Sequence, residues 1–445
     1  MAQNPANAFQ SIFKTPELTS KLGFTLLALF IYRIGGHITA PGVDVRALIL
    51  FFQNTQSQGL LGLYDLFVGG GLSRATVFAL GIVPYISSSI VFQIMGAVVP
   101  SIEKMQREEE GRKKITQWTR YLTLGIAMLQ ALGYAIVTEN LQGAVAHPGF
   151  AFRAQMVLFL STGAMFVMWL GEQITERGIG NGASLLIFFS ILERIWPSIG
   201  QTVEFWRAGT ITLFKLVLLA VVMMAVVAFT IAITMAARKV PIQIPQRTMA
   251  RGRQRESAKQ FIPLRMNAAN VMPIIFAQTV IVVPGLLAQA VKWPWLQTMI
   301  EYLQPGQPLY FVLMGTLILL FTYFYTAIIF NPVDLAESLK KQGAFIPGIK
   351  PGAKTAEYID RIVTRITLPG AIFLTGVALL PIFITDAANV PFRFGGTSLL
   401  IVVGVGLDTI AQVQQQLLVR KYDTFMKKGR IRFRGRGAGG TATGY

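Results

Sequence analysis

The sequence is divided into long apolar runs that contain no charged residue, and this division constrains the fold more than any other feature. A helix needs roughly 17 to 25 apolar residues to cross about 30 Å of hydrocarbon. Seven runs approach or exceed that length: residues 75–100, 121–138, 154–171, 216–237, 266–291, 309–330 and 366–385. The chain is 53% hydrophobic and only 14% charged, which is too apolar for soluble domains of this total length. A polytopic membrane protein is therefore predicted.

Three weaker runs complete the set of predicted spans. Residues 22–40 are interrupted by Arg33, residues 179–192 are short and follow several glycines, and residues 394–419 contain Asp408. Ten spans in total give an all-α fold, and an even number of spans places both termini on the same side of the membrane.

The placement of Lys and Arg predicts which side that is. Most of the 40 basic residues fall in the loops and tail on the side of the termini: residues 104–120, 238–265, 340–365 and 420–436. Basic loops remain cytoplasmic during insertion, so both termini are predicted to be cytoplasmic. Residues 1–20 lack the apolar core of a signal peptide, and we expect the first span to insert the chain.

The net charge of +19 needs no nucleic acid to explain it, because insertion and anionic lipid both favour basic cytoplasmic loops. Two clusters, residues 247–259 and 421–436, are more basic than their neighbours. They are compatible with a phosphate-rich or acidic partner and equally with topology alone. DNA is not an expected partner.

Few residues are suited to catalysis or metal binding. The chain has no cysteine, and its two histidines, His37 and His147, are far apart in the sequence. Asp408 is the one acid well inside a predicted span; it forms either a polar contact between helices or a functional group. No glycine-rich loop followed by lysine offers a phosphate site. We expect no catalytic residue, no metal and no cofactor.

Irregular segments between and within the spans are more informative. Residues 59–71 form an amphipathic stretch that is too short to span and is closed by three glycines. Pro84 and the serines at 87–89 interrupt an apolar run, and residues 178–182 place glycines at the start of the fifth span. Such backbone is tolerated at membrane depth where it faces protein or a water-filled cavity rather than lipid.

Residues 171–182, GEQITERGIGNG, resemble the most recognisable stretch of the bacterial SecY family of channel subunits. Further matches occur in the family's order along the chain, at residues 69–75, 78–87, 304–308, 330–332, 343–352, 394–400 and 411–414. The resemblance implies two inverted, pseudo-symmetric halves of five spans, residues 1–200 and 201–445, which close like a clamshell around an hourglass pore. It also implies a passive channel for unfolded polypeptides, not an enzyme.

The resemblance assigns roles to four groups of residues. The aliphatic constriction, here called the ring, comprises Ile82, Ile86, Ala183, Ile187, Ile275 and Ile401, of which Ala183 is smaller than the family's pattern. The plug comprises residues 59–71, with Leu60, Leu61, Leu63, Tyr64, Leu66, Phe67, Gly69, Gly70 and Gly71 as its main members. The lateral gate between the second and seventh spans includes Ser87, Phe92 and Gln278. The docking residues are Arg247, Arg251, Arg253, Arg255, Lys340, Lys341 and Lys350, the last replacing a usual arginine.

The partners implied are the small subunits SecE and SecG, the SecA motor, the ribosome, the translocating polypeptide and anionic lipid, in a bacterial inner membrane. Two other classes remain as alternatives. A solute carrier with inverted repeats would need an ionisable group at mid-membrane depth, for which only Asp408 is available. An intramembrane enzyme would need a Ser-His or Asp-Asp pair at depth, and the sequence suggests none.

Overall fold

The computed structural model describes residues 16–55, 59–141, 143–209, 212–243, 260–290, 298–299, 301–388 and 396–433. These residues are mostly helical. The helices are α1 Pro16–Gly35, α2 Val45–Thr55, α3 Leu60–Phe67, α4 Val83–Val98, α5 Pro100–Arg107, α6 Glu109–Glu139, α7 Phe150–Arg177, α8 Gly182–Arg207, α9 Leu213–Thr234, α10 Met272–Ala290, α11 Pro308–Ile329, α12 Pro332–Lys341, α13 Ala353–Ala388 and α14 Gly396–Phe433.

Eight helices within the described ranges are long and apolar enough to cross a membrane: α1, α6, α7, α8, α9, α11, α13 and α14. A ninth span is formed if α4 and α5 are counted together, although the chain bends by 108° between them. In α10 the apolar segment Met272–Val282 is shorter. Each of the ten predicted spans thus coincides with an apolar helix.

The second span begins later than the sequence predicted. We expected helix from residue 75, whereas α4 starts at Val83 and residues 71–82 form turns. Pro84 explains the shift, because it lacks an N–H and is favoured in the first turn of a helix. Gly81, with φ of 55°, breaks the helical path before it. The preceding turns pair with the chain after α1 through the Val77 N–H, which donates to the Ile38 carbonyl at 2.8 Å.

The fifth span is longer than predicted and runs to Arg207, with Pro197 inside it. Its irregular start is as expected: Gly180 has φ of 91°, and the Asn181 side chain caps the helix by accepting from the Ser184 N–H at 3.2 Å. A capping amide satisfies a backbone donor that otherwise lacks a partner at the first turn.

The described parts of the basic loops after α9 and α11 are folded, which the sequence did not reveal. Strands β1 Ala237–Ile242 and β2 Gln260–Arg265 pair antiparallel, and Gln243 and Phe345 exchange backbone hydrogen bonds at 2.9 and 3.0 Å. Apolar residues from the hairpin, α12, the segment after α12 and the start of α13 form a separate core: Val240, Ile242, Leu264, Leu339, Ala344, Ile346, Ile359, Ile362 and Ile366. We call this unit the loop module.

Candidate functional site

Five of the six predicted ring residues lie in one buried apolar cluster. Ile82 and Ile86 come from the start of α4, Ile187 from α8, Ile275 from α10 and Ile401 from α14. All five are buried, and Ile401 is fully inaccessible. The fold therefore brings together residues that are up to about 320 positions apart in the sequence.

Ala183, the sixth ring position, is half-buried and packs against the same cluster. A cavity of about 260 Å³ opens beside it, and its lining includes Ile86, Ala183, Ile187 and Ile275. Polar side chains also line it: Ser89, Gln93, Arg120, Glu172, Glu176, Asn181 and Ser184. The cavity thus joins polar side chains to four of the predicted ring residues.

The predicted plug is a helix of eight residues, α3, packed into the bundle. Leu60 and Phe67 belong to the same buried cluster as the ring residues, and Leu63 packs against it. Leu61 and Tyr64 face a second buried cluster formed with α2, α6 and α7. A Cβ on Gly285 of α10 would lie 2.7 Å from the Leu60 side chain, so the two helices touch closely.

The plug is also held by polar contacts that the sequence did not reveal. The Tyr64 hydroxyl donates to the Leu80 carbonyl at 2.9 Å. Burial raises the pKa of the Tyr64 phenol, so it stays a neutral donor. The Asp65 carboxylate accepts from the Ser73 N–H at 2.9 Å and from Arg194 of α8 at 2.6 Å. An aspartate inside an otherwise apolar stretch was the signal that could have drawn attention to this pair.

The three plug glycines are not equivalent. Gly69 and Gly70 have φ of 74° and 84°, a left-handed backbone that other residues rarely adopt. A Cβ on Gly69 would lie 3.1 Å from the Ser190 carbonyl oxygen of α8, and one on Gly71 would lie 2.9 Å from Thr76. These residues let the turn after α3 approach α8. The predicted role as a hinge stays a prediction.

The two predicted gate helices, α4 and α10, pack against each other. Gln278 of α10 is buried, and its carbonyl oxygen has no hydrogen-bond partner among the described residues. We expected Ser87 to contribute a contact between helices, but its hydroxyl donates to the Val83 carbonyl of its own helix at 3.0 Å. A serine on a helix commonly bonds back to the preceding turn in this way. Phe92 is half-buried and contacts Trp118 of α6.

Asp408 of α14 makes a polar contact with the turn before α10. It accepts from the Asn270 amide, just before α10, at 2.9 Å. Both residues line a second cavity, of about 310 Å³.

The sequence also gave no hint of Gln130 in α6, which is buried with both amide atoms unpartnered among the described residues.

The docking residues that the structure describes lie on the loop module. Lys340 and Lys341 are exposed at the end of α12, where Lys341 forms an exposed pair with Glu337 at 3.3 Å. Lys350 is exposed in the turn before α13. Arg247, Arg251, Arg253 and Arg255 lie outside the described residues.

A bundle of membrane-spanning helices around a buried aliphatic cluster, with a short helix packed against it, is the architecture of a multi-pass membrane protein of the channel class. The chain belongs to the SecY family, whose family model matches residues 76–410. It is 44% identical over 445 residues to the protein translocase subunit SecY of Escherichia coli strain K12, covering 98% of this chain and 100% of that protein. The corresponding subunit of Aquifex aeolicus is 42% identical over 427 residues, covering 94% and 99%.

Solved structures share the fold. One is described as the structure of a protein conducting channel; it has a TM-score of 0.65 and 16% identity, covering 89% of this chain and 92% of that one. Another is Sec61 in the canine ribosome-channel complex from the endoplasmic reticulum, with a TM-score of 0.62, 16% identity and the same coverage. At this identity the likeness establishes the fold and not the residue roles.

Proposed function

We propose that this chain forms a protein-conducting channel. It passes unfolded secretory polypeptides across the bacterial cytoplasmic membrane and releases apolar segments sideways into lipid, and SecA or the ribosome drives the movement. The similar bacterial proteins are named as subunits of a protein translocase. The observation that carries the proposal is the meeting of ring residues and plug helix in one buried apolar cluster.

An aliphatic ring suits a channel whose substrate has no fixed sequence. Branched side chains can fit around any polypeptide and offer it no hydrogen bond or charge to hold it. A narrow apolar constriction also excludes water and ions when no polypeptide is present. In the proposed resting channel, the ring and the plug packed against it together form the seal.

The gate is proposed to open along the contact between α4 and α10. This opening moves the two proposed inverted halves of the chain away from each other. Ile82 and Ile86 on one side and Ile275 on the other belong to the ring. Separating the two helices therefore widens the ring and opens a path to lipid in one movement.

The first experiment uses the absence of cysteine from the chain. Ile401→Cys places a single thiol in the ring, and a secretory polypeptide carrying one cysteine is stalled partway across the membrane. We expect a disulfide between the two, because the polypeptide must pass the ring. Gel mobility under non-reducing conditions measures it.

The matched control is Val221→Cys in α9, where the side chain is 59% exposed on the outside of the bundle. That position should give no crosslink. A stalled chain that reaches neither Ile401→Cys nor Ile86→Cys would contradict the channel and favour a carrier.

The loop module is proposed to be the cytoplasmic docking surface for SecA and the ribosome. Both termini are proposed to lie on the same side of the membrane as this module, and SecE and SecG are the proposed membrane partners. Its separate core holds the exposed Lys340, Lys341 and Lys350 on a folded surface rather than on a loose loop. Anionic lipid headgroups meet the same basic side. A lysine keeps the charge of an arginine without its bidentate fork, so Lys350 acts as a point charge.

Lys350→Glu tests the docking surface. Placing a negative charge against an acidic or phosphate-rich partner costs several kcal/mol, and we expect motor-driven export into membrane vesicles to fall by about tenfold or more. Lys104→Glu, an exposed reversal on α5 away from the loop module, is the control and should export normally. Equal export by both variants would remove Lys350 from the docking surface.

A further inference from the structure

One charged group lies in the apolar seat of the plug helix. Asp65 in α3 is fully inaccessible to solvent, between Tyr64 and Leu66. Its two carboxylate oxygens have different partners: one accepts from the Ser73 N–H at 2.9 Å, and the other accepts from Arg194 at 2.6 Å. The carboxylate thus connects the plug both to its own return turn and to α8.

The partner side of this contact belongs to a helix of the bundle wall. Arg194 lies on α8, two turns beyond the ring residue Ile187, and its side chain is 24% exposed. Its neighbour Glu193 is already ion-paired with Arg33 of α1. A Cβ on Gly70 would lie 2.8 Å from the guanidinium, so a side chain at that position would press against Arg194.

We propose that Asp65 and Arg194 form an ionic latch that holds the plug in its seat and sets how readily the channel opens. The pair joins the only acid of α3 to a helix that carries two ring positions, Ala183 and Ile187. Asp65 and Arg194 are positioning residues: they act on the seal through the plug and need not touch the polypeptide. The inference rests on the proposed role of residues 59–71 as a plug.

The difference in exposure between the two partners makes the latch asymmetric. A buried ion pair is stable while both charges are present, and removal of one partner leaves the other uncompensated. Without Arg194, the inaccessible Asp65 carboxylate loses an ion-pair partner. Without the Asp65 charge, Arg194 still reaches water. Neutralising both partners removes the stranded charge.

This asymmetry predicts an order among three variants. Arg194→Gln should unseat the plug most, Asp65→Asn less, and the double variant Asp65→Asn/Arg194→Gln should come closer to the parent than Arg194→Gln alone. A pair that merely filled space would instead give a double variant at least as disturbed as either single one. Arg207→Gln, exposed on the same helix, is the matched control.

The position of the plug is measured directly through a cysteine. Leu61→Cys is introduced into each variant of the full-length protein, purified from membranes with the subunits that accompany it and reconstituted in liposomes. The rate of labelling by an impermeant thiol reagent reports unseating. We expect labelling to rise by about tenfold or more in Arg194→Gln, a factor well within the penalty for a stranded buried charge.

Resting ion flux through the same liposomes and export by the same variants are the second and third readouts. A deletion of residues 60–67 tests the plug role separately from the latch. If the deletion leaves resting flux unchanged, the proposed plug role fails, while labelling still tests the latch. If the deletion raises flux but Arg194→Gln labels Leu61→Cys no faster than Arg207→Gln does, the latch is wrong and the plug stands. A double variant that labels faster than Arg194→Gln would also overturn the latch.

Discussion

The ring and the seat of the plug are neighbours in one cluster, but they are built from opposite chemistry. The ring is aliphatic at all six positions, and its side chains carry no hydrogen-bonding group. The plug seat instead contains the Tyr64 hydroxyl, which donates to a carbonyl, and the buried Asp65 carboxylate, which accepts from Arg194.

This contrast follows from what each part must distinguish. In the proposed channel, the ring has to close equally well around every polypeptide, so directional bonds there would favour some substrates over others. The proposed plug has one place to return to, and directional bonds specify that place. Apolar contacts depend weakly on orientation, whereas a hydrogen bond weakens steeply when its geometry is lost.

Linking α4 to α10 should produce the largest effect, because it blocks the ring while leaving the plug seat intact. A short thiol crosslinker between Ser87→Cys and Gln278→Cys is expected to stop export almost completely, and cleavage of the linker should restore it. A link between Gly315→Cys and Thr375→Cys is the control, since a Cβ on Gly315 lies 3.1 Å from Thr375 within the contact of α11 and α13. Normal export through the α4–α10 link would contradict the gate.

A polar residue in the ring should have the next largest effect. Ile275→Asn places an amide in the buried cluster, which costs about 1–3 kcal/mol if its groups find no partner and favours water in the constriction. We expect a clear rise in resting ion flux through liposomes. Ile275→Val removes one methyl group at a cost of about 1 kcal/mol and keeps the ring apolar. Equal flux in both variants would show that size, not polarity, makes the seal.

A single hydroxyl in the plug seat should have a smaller effect. Tyr64→Phe removes the bond to the Leu80 carbonyl and should weaken seating by about 1 kcal/mol, roughly a fivefold change in the ratio of seated to unseated plug. Labelling of Leu61→Cys measures this ratio. Tyr121→Phe, where the phenol is exposed on α6, is the control. An unchanged labelling rate would mean that packing alone determines the seat.

The smallest effect is expected where the ring is already incomplete. Ala183→Val adds two methyl groups toward the cavity, each group worth about 0.8 kcal/mol when buried. We expect slightly lower resting flux and about twofold slower export of a substrate that carries a bulky disulfide loop. Faster export of that substrate by the variant would show that Ala183 does not face the polypeptide.

The sequence predicted the spans well because each span must be continuous and apolar, whatever its neighbours are. It failed at the ends of spans: α4 begins at Val83 and not at residue 75, because turns that pair with the chain after α1 replace its first two turns. Long-range backbone pairing of this kind leaves no trace in local composition. The loop module was missed for the same reason.

The ring and plug positions could be predicted from the sequence because family motifs surround them. The contacts that these residues make with distant segments could not be predicted. Asp65 and Arg194 are 129 positions apart, and no local sequence pattern links them. Ser87 was expected to hydrogen-bond to another helix, but its hydroxyl bonds to a carbonyl of α4 itself. A hydrogen bond within the helix and one between helices have similar energies, so only the packing of α4 determines which one forms.

By itself, the sequence determined that this chain spans a membrane many times and where its irregular helices lie, and it predicted which side carries the basic loops. These properties follow from the length and charge of single segments in contact with lipid and water. Only the tertiary structure decided that a buried aspartate of α3 meets an arginine of α8 and that the described parts of two basic loops share a core. Such contacts depend on bringing distant segments together, and the free energy of a contact exists only once both partners are in place.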